Sequence, residues 1–143
     1  MSASTYAFLR SRVDLRPLAG VLAVGDSLAL TVFVVVGAVS HGQQPFSNPG
    51  TAAAILAPFL LAWGAVALFG GLYTADAVAG VRRVLGRTVP AWVVAAVLGQ
   101  GLRATPLFRG GTSVAFALVT LVVGGALVGG WRAAFALGRT VVR

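Results

Sequence analysis

The residue most able to do chemistry in this chain is Asp26, a carboxylate two turns inside a long apolar run. If that run crosses a membrane, the charge costs roughly 2.5–3.5 kcal/mol, so such a residue usually faces the interior and has a partner or a role. One hypothesis is a carboxylate that binds a proton or a cation on a substrate path. A second is a buried ion pair with Arg87, and a third is a shallow, water-accessible Asp26.

Three further polar residues extend this candidate constellation: His41, Gln100 and Arg103. At 100° per residue, Asp26, Ser40 and His41 share a helix stripe with Phe33 and Gly37, which predicts that this stripe faces inward. His41 either hydrogen-bonds a loop carbonyl or senses pH. Arg103 either extends to the headgroups or, together with Gln100, binds an anionic group.

Small residues at helical spacing mark the predicted packing faces. Ala91, Ala95 and Gly99 recur every four residues before Arg103, and Gly125 and Gly129 do so further along the chain. Small residues in this pattern let membrane helices approach closely, within one chain or between copies.

The composition limits the other classes of function. With 58% hydrophobic and 10% charged residues, the chain cannot build a water-facing surface. It has no cysteine and one histidine, so thiolate catalysis and multi-histidine metal sites are excluded. The net charge of +8 comes from arginines scattered at the ends of apolar runs, which argues against nucleic-acid binding. We find no candidate catalytic or metal-binding set, and we expect no enzymatic activity and no cofactor.

The apolar runs predict an all-α integral membrane protein, a four-transmembrane-helix bundle forming one domain over residues 1–143. The first run is longer than the apolar region of a signal peptide, so we expect it to remain as the first helix. The predicted spans are 18–40, 52–72, 84–104 and 112–131, between a basic N-terminus (1–17) and a basic tail (132–143).

The distribution of arginine predicts the orientation, because cytoplasmic loops carry the excess of positive residues. With the N-terminus inside, nine arginines lie on the inner side and only Arg103 and Arg109 on the outer side. We therefore expect a multi-pass protein of the cytoplasmic membrane with both termini in the cytoplasm. The inner residues are Arg10, Arg12, Arg16, Arg82, Arg83, Arg87, Arg132, Arg139 and Arg143.

A shift of 61 residues aligns parts of the chain with each other, with Pro45 on Pro106 and Gly25 on Gly86. Such an offset of two helices is compatible with a parallel tandem repeat of two helix hairpins. The alternative is chance matching among abundant Gly, Ala and Pro. The repeat would place Asp26 opposite Arg87.

The segment from Gly25 and Asp26 through Gly37 to His41-Gly42 resembles the opening signature of an uncharacterised prokaryotic membrane family, domain of unknown function 3054. The Pro58-Phe59 and Trp63 region, Leu102-Arg103 and Gly130-Trp131-Arg132 are also similar to it. The resemblance implies a four-helix membrane protein and brings no activity with it. The Asp, His and Arg positions of the family correspond to Asp26, His41 and Arg103.

Two classes of function remain open from the sequence. The first is an accessory or scaffolding subunit that packs against a larger membrane complex, a lipid or a pigment, as the short loops and small-residue faces suggest. The second is a small homo-oligomeric transporter or channel that uses Asp26 as its coupling carboxylate. The expected partners are the lipid bilayer and either further copies of the chain or a larger complex.

Overall fold

The structure, a computed structural model, describes residues 2–13, 17–108, 110–111 and 113–142, which form helices joined by short loops. Four helical segments are long and apolar enough to cross a membrane, as the sequence predicted. The elements are α1 (Ala3–Arg12), α2 (Pro17–Ser40), α3 (Pro49–Phe69), a 3-10 turn (Asp76–Val78), α4 (Val81–Arg103), α5 (Val114–Val119), a π-helical segment (Thr120–Gly124) and α6 (Gly125–Val141).

The second and third spans begin three residues earlier than the sequence suggested. Asn48-Pro49-Gly50 has the composition of a turn, yet Pro49 is the first residue of α3. Proline fits this position because its missing N–H has no partner in the first helical turn anyway, and its φ is already helical. Arg82 and Arg83, which precede the predicted third span, belong to α4.

The fourth span differs most from the prediction. It was expected to end at Trp131, but α5, the π-helical segment and α6 form one continuous helical span, Val114–Val141. The supposed basic tail is therefore mostly helix, and Arg132 lies inside it with no exposed surface. A charge was taken as the end of the apolar run, whereas a buried counter-charge lets the span continue through it.

The π-helical segment accommodates Trp92 of α4. A π turn leaves backbone carbonyls without their usual partners, and here the indole Nε1 of Trp92 donates to the carbonyls of Thr120 and Leu121 at 3.2 and 3.3 Å. The ring also lies against Gly124 and Gly125, where a Cβ would overlap it. The π turn and its two glycines thus make room for the indole ring of Trp92.

Aromatic rings and small residues fill the centre of the bundle. Trp63 and Trp92 lie in contact, with ring centroids 5.9 Å apart, and both belong to a cluster with Leu30 and Val128. Gly25 faces the Trp131 ring, and any side chain there would overlap it. The close approach of these helices therefore depends on residues without a Cβ.

α1 and the C-terminal part of α6 lie at one end of the bundle, here called the terminal end. At that end Leu22 of α2, Val84 of α4 and Ala136 of α6 form a second buried cluster. Arg12 of α1 donates to the carbonyl of Phe69, the last residue of α3. The loops that begin at His41 and after Arg103 lie at the opposite end.

Several residues used in the sequence predictions lie outside the described residues. They include Thr112, the predicted start of the fourth span, and three of the arginines in the orientation argument: Arg16, Arg109 and Arg143. The tandem repeat and the sidedness of the termini stay predictions.

Candidate functional site

Asp26 is the centre of a buried polar cluster near the terminal end, and only 1% of its surface is exposed. Its Oδ1 accepts hydrogen bonds from Trp131 Nε1 and Arg132 Nε, both at 2.8 Å. Its Oδ2 accepts from Trp63 Nε1 at 2.9 Å and from Arg132 Nη2 at 2.6 Å. We call Asp26, Trp63, Trp131 and Arg132 the Asp26 cluster. It joins three of the four spans through one carboxylate.

All three guanidinium nitrogens of Arg132 donate hydrogen bonds, two of them to Asp26. Its Nη1 donates to the carbonyl of Leu72 at 3.1 Å. The guanidinium carbon also lies 5.4 Å from the ring centroid of Trp63 and 5.6 Å from that of Tyr73. Two-point contact between a guanidinium and a carboxylate is the geometry in which such a pair is strongest. The pair supplies both the countercharge and the hydrogen bonds that burial requires.

Tyr73 lies in the loop after α3, and the Asp26 cluster affects the pKa of its hydroxyl. Burial raises the pKa of its hydroxyl from 10.0 to about 12, and the negative charge of Asp26 adds to the effect. Both causes raise the pKa of Tyr73, because burial disfavours the charged phenolate and the negative charge of Asp26 repels it.

Arg87, the predicted partner of Asp26, lies elsewhere. It donates to Asp76 Oδ2 at 3.3 Å and to the carbonyl of Gly70 at 3.1 Å, and Asp76 also pairs with Arg83. The pairing of Asp26 with Arg87 is therefore wrong. The prediction relied on the repeat offset, but Arg87 stands only two turns into α4, at the exposed rim of the terminal end.

Three arginines meet at the C-terminal end of α3. The carbonyls of Phe69, Gly70 and Leu72 accept from Arg12, Arg87 and Arg132 respectively. The last carbonyls of a helix have no partner within it, and they carry the negative end of the helix dipole. Gly71 allows this ending, since its φ of +67° is in the left-handed region. The arginines thus tie α1, α4 and α6 to one helix end.

Arg103 is a second buried arginine, at the opposite end of the bundle and 9% exposed. Its Nη2 donates to the carbonyl of Gly110 at 3.0 Å and its Nε to that of Gly111 at 3.4 Å. The guanidinium carbon lies 4.2 Å from the ring centroid of Phe116, and Nη1 is buried without a hydrogen-bond partner in the part of the chain that the structure describes. Among the described residues, no carboxylate forms an ion pair with it.

A cavity of about 500 Å³ lies beside Arg103, between α2 and α5. We call it the Arg103 cavity. Polar groups at its wall come from His41, Gln43 and Ser113, and the apolar lining includes Phe33 and Phe116. His41 and Arg103 of the predicted constellation are therefore brought to one place. Asp26 does not line the cavity, and the nearest lining residue on α2, Phe33, is seven residues further along the helix, roughly 10 Å.

Gln100, one turn before Arg103, does not line this cavity. Its Nε2 donates to Thr120 Oγ1 at 3.3 Å, and its Oε1 is buried without a partner. Gln100 thus connects α4 to the π-helical segment.

The predicted packing residues lie between helices of the same chain. Ala95 and Gly99 are buried, and a Cβ on Gly99 would overlap the ring of Phe59. Ala91 packs at the edge of the central cluster. Gly125 faces Trp92, and Gly129 has Leu85 as its nearest neighbour.

Sequence reasoning missed three members of the Asp26 cluster: Trp63, Trp131 and Arg132. In the sequence analysis the two tryptophans appear only in the family resemblance, and Arg132 is part of the predicted basic tail. A usable signal was present, since the chain has only three acidic residues and a buried carboxylate needs donors. The indole N–H is one of the few side-chain donors that apolar spans carry.

Comparison with known families decides the membership of this chain. The model of one family, described as protein of unknown function (DUF3054), matches residues 23–135. The chain belongs to the DUF3054 family. The matched range of this DUF3054 protein contains the whole Asp26 cluster and Arg103, whereas α1 and the last turns of α6 lie outside it. Neither the curated proteins nor the solved structures gave a match to the chain.

Proposed function

We propose that this DUF3054 protein is a non-enzymatic accessory subunit, a rigid bundle whose outer faces pack against a larger membrane complex. The observation that carries the proposal is the saturation of Asp26 by four donors. A carboxylate has about four lone-pair sites, so this one has no acceptor capacity left for a cation or a water molecule. Its role is to hold α2, α3 and α6 together.

The same geometry argues against Asp26 as a coupling carboxylate. A transported cation could reach the carboxylate oxygens only by displacing the donors that occupy them. Displacement of Arg132 would leave its guanidinium unpaired in the bundle interior, which is strongly unfavourable.

The remaining acid–base groups give little support to an enzyme. Asp76 is engaged by Arg83 and Arg87 at the rim of the bundle. His41 is exposed at the opposite end, far from either described aspartate along the helix axes.

The outer faces of the helices are apolar and supply the proposed contact surface. In an apolar window of 18 residues within each span, between 22% and 39% of the residues are buried inside the bundle. The rest presents side chains to lipid or to other helices, among them Val24, Leu28, Leu61, Val97, Leu118 and Val122.

We further propose that the protein resides in the cytoplasmic membrane with both termini in the cytoplasm. With Arg132 in the interior, the described residues place six arginines near the terminal end, Arg10, Arg12, Arg82, Arg83, Arg87 and Arg139, against Arg103 at the other end. This bias still favours the terminal end as the inner side.

The test is the composition of the native particle after mild detergent extraction from its own membrane. We expect the chain to leave with other polypeptides in a fixed ratio, and to do so equally in the Arg82→Gln variant, which changes an exposed charge. A chain that leaves alone, as a monomer or a homo-oligomer, would contradict the accessory role.

A proton-flux assay separates the rival transporter hypothesis. Purified wild-type protein and the Asp26→Asn variant are reconstituted in liposomes with a pH-sensitive dye inside. We expect no flux above that of empty liposomes in either case. Flux that the wild type supports and Asp26→Asn abolishes, at equal reconstitution, would make the chain a transporter.

A further inference from the structure

Arg132 and Arg103, the buried arginines among the described residues, differ in one decisive respect. Arg132 is paired with a carboxylate, whereas the partners of Arg103 in the described part of the chain are the carbonyls of Gly110 and Gly111 and the face of Phe116. These groups carry partial charges, and a full positive charge away from water needs more compensation than they supply.

We propose that the Arg103 cavity binds the phosphate group of a net anionic ligand, with an anionic phospholipid as the expected source. The phosphate would give Arg103 its counter-charge. Guanidinium is well suited to this role because its N–H groups match the spacing of phosphate oxygens. Its Nη1 is buried and has no hydrogen-bond partner among the described residues.

The lining of the cavity matches an amphiphile. Beside Arg103, the hydroxyl of Ser113 and the amide of Gln43 are polar groups at the wall. The other side is apolar, with Phe33, Val34 and Ile55. A volume of about 500 Å³ lies within the range of small-ligand sites, so a headgroup and its glycerol fit while acyl chains extend outward.

The position of the cavity also matches a lipid. It lies where α4 ends and α5 begins, at the end of the membrane spans where headgroups are found. Ala115 and Val119 of α5 line the cavity and are exposed on the outer surface of the bundle. Acyl chains that leave the cavity past these residues would enter the bilayer.

The experiment measures binding to the purified, delipidated protein by native mass spectrometry. The probes are phosphatidylglycerol, the zwitterionic phosphatidylcholine and inorganic phosphate. We expect one tightly held phosphatidylglycerol per chain, and at least about tenfold weaker binding after Arg103→Gln, because a charge-assisted hydrogen bond contributes that much. The matched control Arg82→Gln removes the same charge from an exposed position and should bind like the wild type.

A second pair of variants tests the cavity without removing a charge. Gly37 lines the cavity, and a Cβ there meets no heavy atom within 4 Å, so Gly37→Leu should fold and fill the space. Gly20→Leu is the control, on the same helix, equally open and away from the cavity. We expect weaker phosphatidylglycerol binding for Gly37→Leu alone, while the two variants have similar melting temperatures without lipid, neither below that of the wild type.

The arms of the experiment also distinguish the source of the phosphate. Stabilisation by inorganic phosphate that depends on Arg103, without retention of lipid, would support the site and assign it to a soluble ligand. Binding of phosphatidylglycerol and phosphatidylcholine with equal strength would overturn the proposal. So would equal losses in Arg103→Gln and Arg82→Gln, which would indicate only a general attraction of arginines to anionic lipid.

Discussion

Asp26 and Arg132 are separated by 106 positions in the sequence, yet they form a two-point ion pair with contacts of 2.8 and 2.6 Å. Both are at most 1% exposed. The pair joins the first span to the last and closes the bundle. It also explains why α6 continues past a charge that the apolar pattern marked as the end of a span.

Breaking this ion pair from one side should destabilise the protein strongly. Asp26→Asn and Arg132→Gln should each lower the free energy of unfolding by about 3–5 kcal/mol, because each leaves a buried group unpaired. The double variant should lose less than the sum of the two. Arg87→Gln is the control, since Arg87 is partly exposed and bonded to Asp76. The measurement is reversible unfolding in detergent, and strictly additive losses would contradict the pairing.

The indole donors of the Asp26 cluster make a separate prediction. Trp63→Phe and Trp131→Phe keep an aromatic ring but lose the N–H, so each should cost roughly 1.5–3 kcal/mol of stability, as for a hydrogen bond to a charged group. In the Asp26→Asn background the cost should shrink. Trp92→Phe is the comparison, because Trp92 donates to backbone carbonyls. The stability that Trp92→Phe loses should be the same with and without Asp26→Asn. If the losses of Trp63→Phe and Trp131→Phe also stay the same in the Asp26→Asn background, these indoles do not donate to Asp26.

Gly25 and Gly99 should tolerate no side chain. A Cβ on Gly25 would overlap the ring of Trp131, and one on Gly99 the ring of Phe59. Gly25→Ala and Gly99→Ala should therefore lower the melting temperature. Gly86→Ala on α4 has open space around it, and should be neutral or up to about 1 kcal/mol stabilising, since alanine is the better helix former. Equal behaviour of the three variants in a thermal scan would refute the packing.

The pKa of Tyr73 predicts a loss of stability at high pH. Because burial and Asp26 raise that pKa to about 12 from 10.0, the folded state holds the proton that the unfolded state releases. Stability should then fall as the pH rises from about 10 towards 12. An absorbance titration of the Tyr6→Phe variant follows Tyr73 alone. A transition near 10, or one that Asp26→Asn does not lower, would disagree with this environment.

The proposed sidedness can be tested with single cysteines, since the chain has none of its own. Gln43→Cys at the opposite end should react with a membrane-impermeant maleimide on intact cells. Ser4→Cys and Thr140→Cys at the terminal end should react only after lysis. Labelling with the reverse pattern would place the termini outside.

The sequence by itself determined the number and approximate position of the spans. Long apolar runs specify helices in lipid because only helices satisfy their own backbone hydrogen bonds there. The sequence also marked Asp26 as exceptional, since a carboxylate within an apolar run must have a reason. Composition and periodicity were sufficient for both conclusions, because each depends on residues that are neighbours along one helix.

The tertiary structure alone decided which residues donate hydrogen bonds to Asp26. Its donors come from α3 and α6, and their proximity follows from how three helices pack around Trp63 and Trp131. No local pattern encodes that contact, so Arg87 was as plausible as Arg132 until the helices were placed. The same holds for Arg103, whose cavity exists only because α2 and α5 enclose it. Pairing across a bundle depends on helix rotation and depth, which one sequence read along its length does not specify.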